Sequence, residues 1–213
     1  MVTEIYLVRH CESRANTDKL IAGVSDVEIT EKGRKQLDYL AERFKDLPLD
    51  VVATSPLTRA RLTAEAVNRY HGVPVEDWPA FIEMDCGDYE LTRLADMPEA
   101  DRDCWLHKPS EFQAKNGESM RGVYDRAAAG FRELLETYRG KKIAVTTHGG
   151  LLRCLYCYVT GQSLEAIDEA PFCGNTSISH LQVAEDGTVQ ILGLNDMEHL
   201  ASLQDITPLK AWF

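Results

Sequence analysis

Apolar positions in the first third of the chain fall into two rhythms. Ile5-Tyr6-Leu7-Val8 is a continuous apolar run, the form taken by a strand buried on both faces. A polar loop runs from there to Thr30. Apolar residues then return at helical spacing. Leu37, Leu40, Ala41, Phe44 and Leu47 share one face of a helix predicted over about 31–47, with Thr30 as its N-cap. Asp50 to Thr54 reads as a second strand. Ser55-Pro56 then opens a second helix, Ser as cap and Pro in the first turn, with Leu57, Ala60, Ala64 and Val67 as its apolar stripe.

The pattern loosens between about 79 and 117, where prolines, tryptophans and acidic residues cluster without period. This segment is predicted to be an insertion or lid. A long helix follows over about 118–138, with Val123, Ala127, Phe131, Leu134 and Tyr138 on one side. Lys142 to Thr147 is a third strand. It runs into His148-Gly149-Gly150 and another helix. The segments ISHLQVA and VQILGLN, separated by Glu185-Asp186-Gly187, read as a closing hairpin. Strands alternating with helices predict an α/β three-layer sandwich. It has a mostly parallel central sheet, helices on both faces and a small lid insertion, all in one domain spanning 1–213.

Composition narrows the partners. The chain has 213 residues, 44% hydrophobic and 27% charged, an ordinary globular balance. Its net charge of −11 gives no bulk attraction to nucleic acid or to an anionic membrane. An anionic ligand must therefore be held by a local basic site. No apolar run approaches the roughly 20 residues that span a bilayer. The N-terminus lacks the layout of a signal peptide, so a cytoplasmic protein is expected. Cys11, Cys86, Cys104, Cys154, Cys157 and Cys173 are expected to be reduced thiols. Cys154 and Cys157 sit in an apolar helical stretch and read as core rather than as a metal or redox pair. His71, His107, His180 and His199 show no paired-ligand spacing and read as structural or surface residues. The oligomeric state is left open.

The three predicted strands each end in chemistry. The first ends in Arg9-His10. The second ends in Ser55, with Arg59 one turn into the next helix. The third ends in His148-Gly149-Gly150. Ligands of open α/β sheets bind at the carboxyl ends of the strands. If the strands are parallel neighbours, two arginines and two histidines converge there. Helix N-termini after Ser55 and Gly150 would add free backbone N–H donors. Guanidinium forks, imidazoles and amides together suit phosphate. Each piece alone has a bland reading: a hydrogen-bonded histidine, a solvated arginine, a tight Gly-Gly turn.

Leu7-Val8-Arg9-His10-Cys11-Glu12-Ser13, with Asn16, resembles the R-H-G-E-[ST]-x-x-N signature of the histidine phosphatase superfamily, the phosphoglycerate mutase-like fold. Further motifs follow in the family's order: Asp26 to Gly33, Ser55 to Ala64, Glu83 to Glu90, Gly117-Glu118-Ser119, Thr147 to Gly150 and Asn175 to Ile178. The resemblance implies that His10 is the nucleophile and forms a phosphohistidine, with its other ring nitrogen donating a hydrogen bond. It implies that Arg9, Arg59 and His148 hold the phosphoryl oxygens and that Glu83 is the general acid. Arg9, Asn16, Gly23, Arg59, His148 and Gly149 would contact the substrate, a small phosphorylated metabolite. No metal and no cofactor is expected. Glu12 is either a structural ion-pair partner or a direct participant.

Two positions depart from the family pattern. Cys11 and Leu91 stand where it has glycine. Cys11 either faces the phosphate site as an activated thiol, with Cys86 as a second target, or packs inward. Three functions fit: a phosphatase, a cofactor-dependent phosphoglycerate mutase, or a catalytically idle phosphate-binding regulator. A mutase needs cations for a second anion. Here Met84 follows the acid, no Arg-Arg pair occurs, and eight acids (Glu83, Asp85, Asp88, Glu90, Asp96, Glu99, Asp101, Asp103) face only Arg93 and Arg102 in that stretch. The phosphatase is favoured. The other two remain alternatives.

Overall fold

The computed structural model describes residues 1–203, so residues 204–213 of the expected domain lie outside the described residues. Six strands form one sheet: β1 (Thr3–Arg9), β2 (Val51–Thr54), β3 (Val75–Asp77), β4 (Lys142–Thr147), β5 (Ile178–Val183) and β6 (Val189–Asp196), in the order β3-β2-β4-β1-β5-β6. β3, β2, β4 and β1 are mutually parallel, and β5 and β6 continue the sheet antiparallel. The closing hairpin turns at Gly187, whose φ of +87° is one that glycine adopts without penalty.

Alternation along the strands sorts two cores. Ile5 and Leu7 of β1 face one way, against α5 (Met120–Thr137) and α6 (Gly149–Val159). Tyr6 and Val8 face the other, against α2 (Glu31–Phe44) and α3 (Thr58–Asn68). This is the three-layer arrangement the pattern predicts. Each buried Leu or Phe in it contributes on the order of 1.5–3 kcal/mol. Cys154 and Cys157 are fully buried in the first core as free thiols. No helix among the described residues is long and apolar enough to cross a membrane.

Several boundaries differ from the sequence reading. α2 stops at Phe44, short of Leu47, while Thr30 caps its start by accepting from Gly33 N at 2.9 Å. α3 begins at Thr58, not at Ser55. Ser55 N still bonds Thr146 O at 2.9 Å, extending the sheet, and Leu57 takes the N-cap position in its place. β3 is fully exposed and short, and its Val-Glu-Asp sequence carries no strand pattern. Residues 79–119 fold as short 3-10 turns around α4 (Glu99–His107), preceded by α1 (Arg14–Asp18) far back in the chain. Phe81, Met84, Trp105 and Phe112 of this segment are buried in the same core as α5 and α6.

Candidate active site

Parallel register brings the strand tips level. Arg9 pairs with Thr147, and Thr54 with Thr146, so His10, Ser55 and His148 follow at one edge of the sheet. His10 N donates to Thr147 O at 2.8 Å, which pins the residue to its neighbour strand. The His10 Nδ1 lies 2.7 Å from the Cys11 carbonyl. A carbonyl can only accept, so Nδ1 carries the proton and Nε2 keeps its lone pair. Burial, then the Arg59 and Arg9 charges, hold His10 well below the usual histidine range and keep it neutral.

His148 is fully buried, its ring centroid 5.2 Å from that of His10. It does not line the cavity. The His148 Nε2 lies 2.7 Å from Ser55 Oγ, and Leu57 N donates to the same oxygen at 3.4 Å. Where the Ser55 hydroxyl gives its proton to Nε2, the ring proton sits on Nδ1. That Nδ1 is buried with no hydrogen-bond partner among the described residues. Burial and Arg59 hold His148 neutral as well.

Both arginines are buried without an ion-pair partner among the described residues. Arg9 donates to the Cys173 carbonyl at 2.5 Å, and its Nε has no partner. Arg59 donates to Ser25 O at 2.8 Å, Ala22 O at 3.0 Å and Gly23 O at 2.7 Å. Carbonyls orient these guanidiniums but do not neutralise them. Burial lowers the pKa of each. Two buried cations with no ion-pair partner among the described residues, beside two neutral imidazoles, make a site that gains by receiving an anion.

The helix N-termini are not free, contrary to expectation. Glu83 Oε2 accepts from Gly150 N at 2.9 Å, and its Oε1 from Leu151 N at 3.2 Å and Met84 N at 3.0 Å. Asp26 occupies the start of α3 through Thr58 N at 3.0 Å and Thr58 Oγ1 at 2.5 Å. Both positive helix ends are spent on carboxylates. The positive charge facing a ligand therefore comes from side chains.

Arg9, His10, Asn16, Gly23, Arg59, Glu83 and Gly149 all line one cavity. Asn16 Oδ1 is committed to Ser13 N at 3.0 Å and Asn175 Nδ2 at 3.3 Å, which leaves its NH2 as the group it can offer. A Cβ on Gly23 would fall 1.8 Å from Met84 O. One on Gly149 would fall 3.4 Å from Arg9 Nε. Leu20, Ile21, Trp105, Met120 and Phe172 give the cavity an apolar side.

Sequence reasoning missed three groups here. Arg153, 2% exposed, also lines the cavity, donating to the Ala170 carbonyl at 3.2 Å and to that of Ile167. Its signal was available: a lone charge in the apolar run of α6. Glu90 ties two loops together, accepting from Val24 N, Ser25 N and Cys86 N, each at 3.0 Å. Arg126 of α5 reaches the Glu83 segment from behind.

The departures from the family pattern resolve physically. Cys11 packs inward against Ile29, Leu37, Ala41 and Ala66, and burial pushes its thiol up to about 11. Cys86 is likewise pushed up by burial. Neither is an activated thiol. Leu91 holds a φ of +59°, the left-handed region glycine favours. Glu12 accepts from Thr30 Oγ1 at 2.6 Å and pairs with Lys32 at 3.7 Å, and it does not line the cavity.

Comparison with known proteins places the chain in a family. The family model of the histidine phosphatase superfamily (branch 1) matches residues 5–197. Phosphoserine phosphatase 1 of Hydrogenobacter thermophilus is 30% identical over 202 residues, covering 93% of this chain and 95% of that protein. The "probable phosphoglycerate mutase GpmB" of Cronobacter sakazakii is 32% identical over 161 residues, covering 74% of this chain and 75% of its own. The structure of Bacillus stearothermophilus YhfR superposes with a TM-score of 0.88 at 26% identity, covering 93% of this chain and 99% of that one.

Proposed function

The chain belongs to the histidine phosphatase superfamily, branch 1, and from that premise we propose a phosphatase that hydrolyses a small phosphomonoester through a phosphohistidine on His10. The observation that carries this reading is the pair of buried, uncompensated guanidiniums flanking a neutral His10 whose Nε2 lone pair is set by the Cys11 carbonyl.

His10 Nε2 attacks phosphorus as the ester bond to the leaving oxygen breaks. Arg9, Arg59, Asn16 and the His148 Nδ1–H hold the phosphoryl oxygens as charge gathers on them. Glu83, as general acid, gives a proton to the leaving oxygen. It then takes one from the water that attacks the phosphohistidine, and orthophosphate departs with His10 restored. The arginines supply the positive charge and the neutral imidazoles a nucleophile and a donor, so no metal is invoked. Six free thiols fit a reducing, cytoplasmic setting.

A mutase must cradle a second anion next to the acid. Met84, buried against the cavity, holds that place here. The relatives bearing phosphatase and mutase names leave both activities within the family, and the missing cation after Glu83 favours hydrolysis. The test is a panel of phosphomonoesters assayed with and without EDTA, beside a mutase assay with bisphosphoglycerate. Release of orthophosphate that is indifferent to EDTA is the expected result. Interconversion of phosphoglycerates without net release overturns the phosphatase reading, and phosphate binding without turnover of any ester assigns an idle protein.

A further inference from the structure

Arg126 lies outside the cavity lining, yet a single guanidinium gathers the backbone that carries the acid. Its NH1 donates to Ile82 O at 2.6 Å and Ala80 O at 3.1 Å, and its NH2 to Glu83 O at 2.9 Å. The same group is forked onto Glu118, Nε to Oε1 at 2.8 Å and NH2 to Oε2 at 2.9 Å. Glu118 Oε2 in turn accepts from Asp85 N at 3.0 Å. The chain is thus gripped on both sides of the acid: carbonyls 80, 82 and 83 by the arginine, amide 85 by its carboxylate partner. Arg126 stands on α5, one regular helix of 18 residues packed into the core, and Glu118 immediately precedes its N-cap Ser119.

The grip has a chemical consequence. The Glu83 carboxylate is held at its tip by amides 84, 150 and 151. Its root is held by Arg126. Fixing root and tip together fixes the distance from the carboxyl to the leaving oxygen. Proton transfer falls off steeply once that distance leaves hydrogen-bond range. We infer that Arg126, acting with Glu118, is the positioning residue for the general acid and sets how well the enzyme cleaves esters with poor leaving groups. This rests on the reading of Glu83 as the acid.

A residue that merely anchors residues 79–119 would slow every substrate alike. A residue that positions the acid has a different signature. p-Nitrophenolate leaves as a stabilised anion and needs little protonation, whereas the alkoxide of glycerol 2-phosphate needs it fully. The measurement is kcat/KM, which ends with departure of the alcohol, on these two substrates. Arg126→Met should lose about 10²-fold on glycerol 2-phosphate and less than about 10-fold on p-nitrophenyl phosphate. Glu118→Gln should show the same skew at smaller size, and Arg126→Lys should recover part of it. Where Arg126→Met fails to fold, Glu118→Gln and Arg126→Lys carry the test by the same ratio.

Equal losses on both substrates across these variants overturn the inference. Glu83→Gln separates it from the reading beneath it. A strong skew in Glu83→Gln with none in the Arg126 and Glu118 variants leaves Glu83 as the acid and sinks the positioning role. No skew in Glu83→Gln removes the acid, and the inference with it.

Discussion

The two walls of the cavity are built differently. The wall with Arg9 and His10, the latter packed against His148, is sheet: three parallel tips in register, each backbone fixed by its neighbour. The facing wall, residues 79–119, is a series of short turns with little ladder of its own. Its order comes from side chains, Arg126 reaching in from α5 and Glu118 and Glu90 tying it from within. The sheet wall keeps buried charges without counter-ions because its frame is rigid. The turn wall keeps its acid in place only while its ties hold. Arg9 and His10 sit at the sheet's edge, and Glu83, the proposed proton donor, sits on turns.

The largest expected effect strips the sheet wall of chemistry without disturbing its frame. His10→Ala should lower kcat by at least ~10³-fold, as removal of a nucleophile does. It should also abolish acid-labile labelling by a phosphoryl donor, while the thermal midpoint stays close to the parent. Label that persists in the variant would move the nucleophile to another residue, His148 first.

Gly23→Ala forces the walls apart. The new methyl would meet Met84 O and Glu90 Oε1 at the seam between them. Urea unfolding should show a loss of roughly 2–4 kcal/mol, in the range of severe overpacking. An unchanged midpoint would mean that the turn wall gives way freely.

Acid should loosen the sheet wall first. His10 and His148 are held neutral in the fold, and burial lowers His199 to about 4. Each takes up a proton on unfolding below the ordinary histidine value of about 6.5. The unfolded state then binds more protons, so stability falls as pH falls from there toward the folded values. Each group contributes up to ~1.4 kcal/mol per pH unit to that slope. Denaturant midpoints from pH 8 to pH 5 should trace the decline, and His148→Gln should flatten it.

Leu91→Gly should relax the turn wall. The present residue holds a left-handed backbone at half exposure. Replacing it should add about 0.5–1 kcal/mol of stability, the strain relieved less the extra freedom glycine gains in the unfolded chain. A loss of stability would show that the Leu91 side chain carries packing that outweighs its backbone.

The difference between the walls also decides what could be read from the chain. An apolar run ending in Arg-His or His-Gly-Gly announces a strand tip, and parallel order brings such tips together. Arg9, His10, Arg59 and His148 were legible for that reason. Arg126 was not. Between Val123 and Ala127 it looks like any solvated helical charge, and only the tertiary fold turns it toward three carbonyls. The same holds for the helix ends. Gly149-Gly150 marks a helix start and Ser55-Pro56 falls just ahead of one, but which carboxylate arrives there is decided by loops 26 and 83. Cys11 shows the limit from another side. Its neighbours along the chain are charged, whereas its neighbours in space are apolar.

His148 and two of the three amides that hold the Glu83 carboxylate, those of Gly150 and Leu151, lie within one turn at the start of α6. The two halves of the site are therefore inherited as one unit. Changes at 148–151 and at 83 should be epistatic, their paired effects departing from the sum of the single ones. Gly150 sharpens the point, because a Cβ there would lie 2.7 Å from Glu83 Oε1. A turn segment transplanted from a relative would work on this sheet only where the helix start it meets leaves the same small gap for its acid.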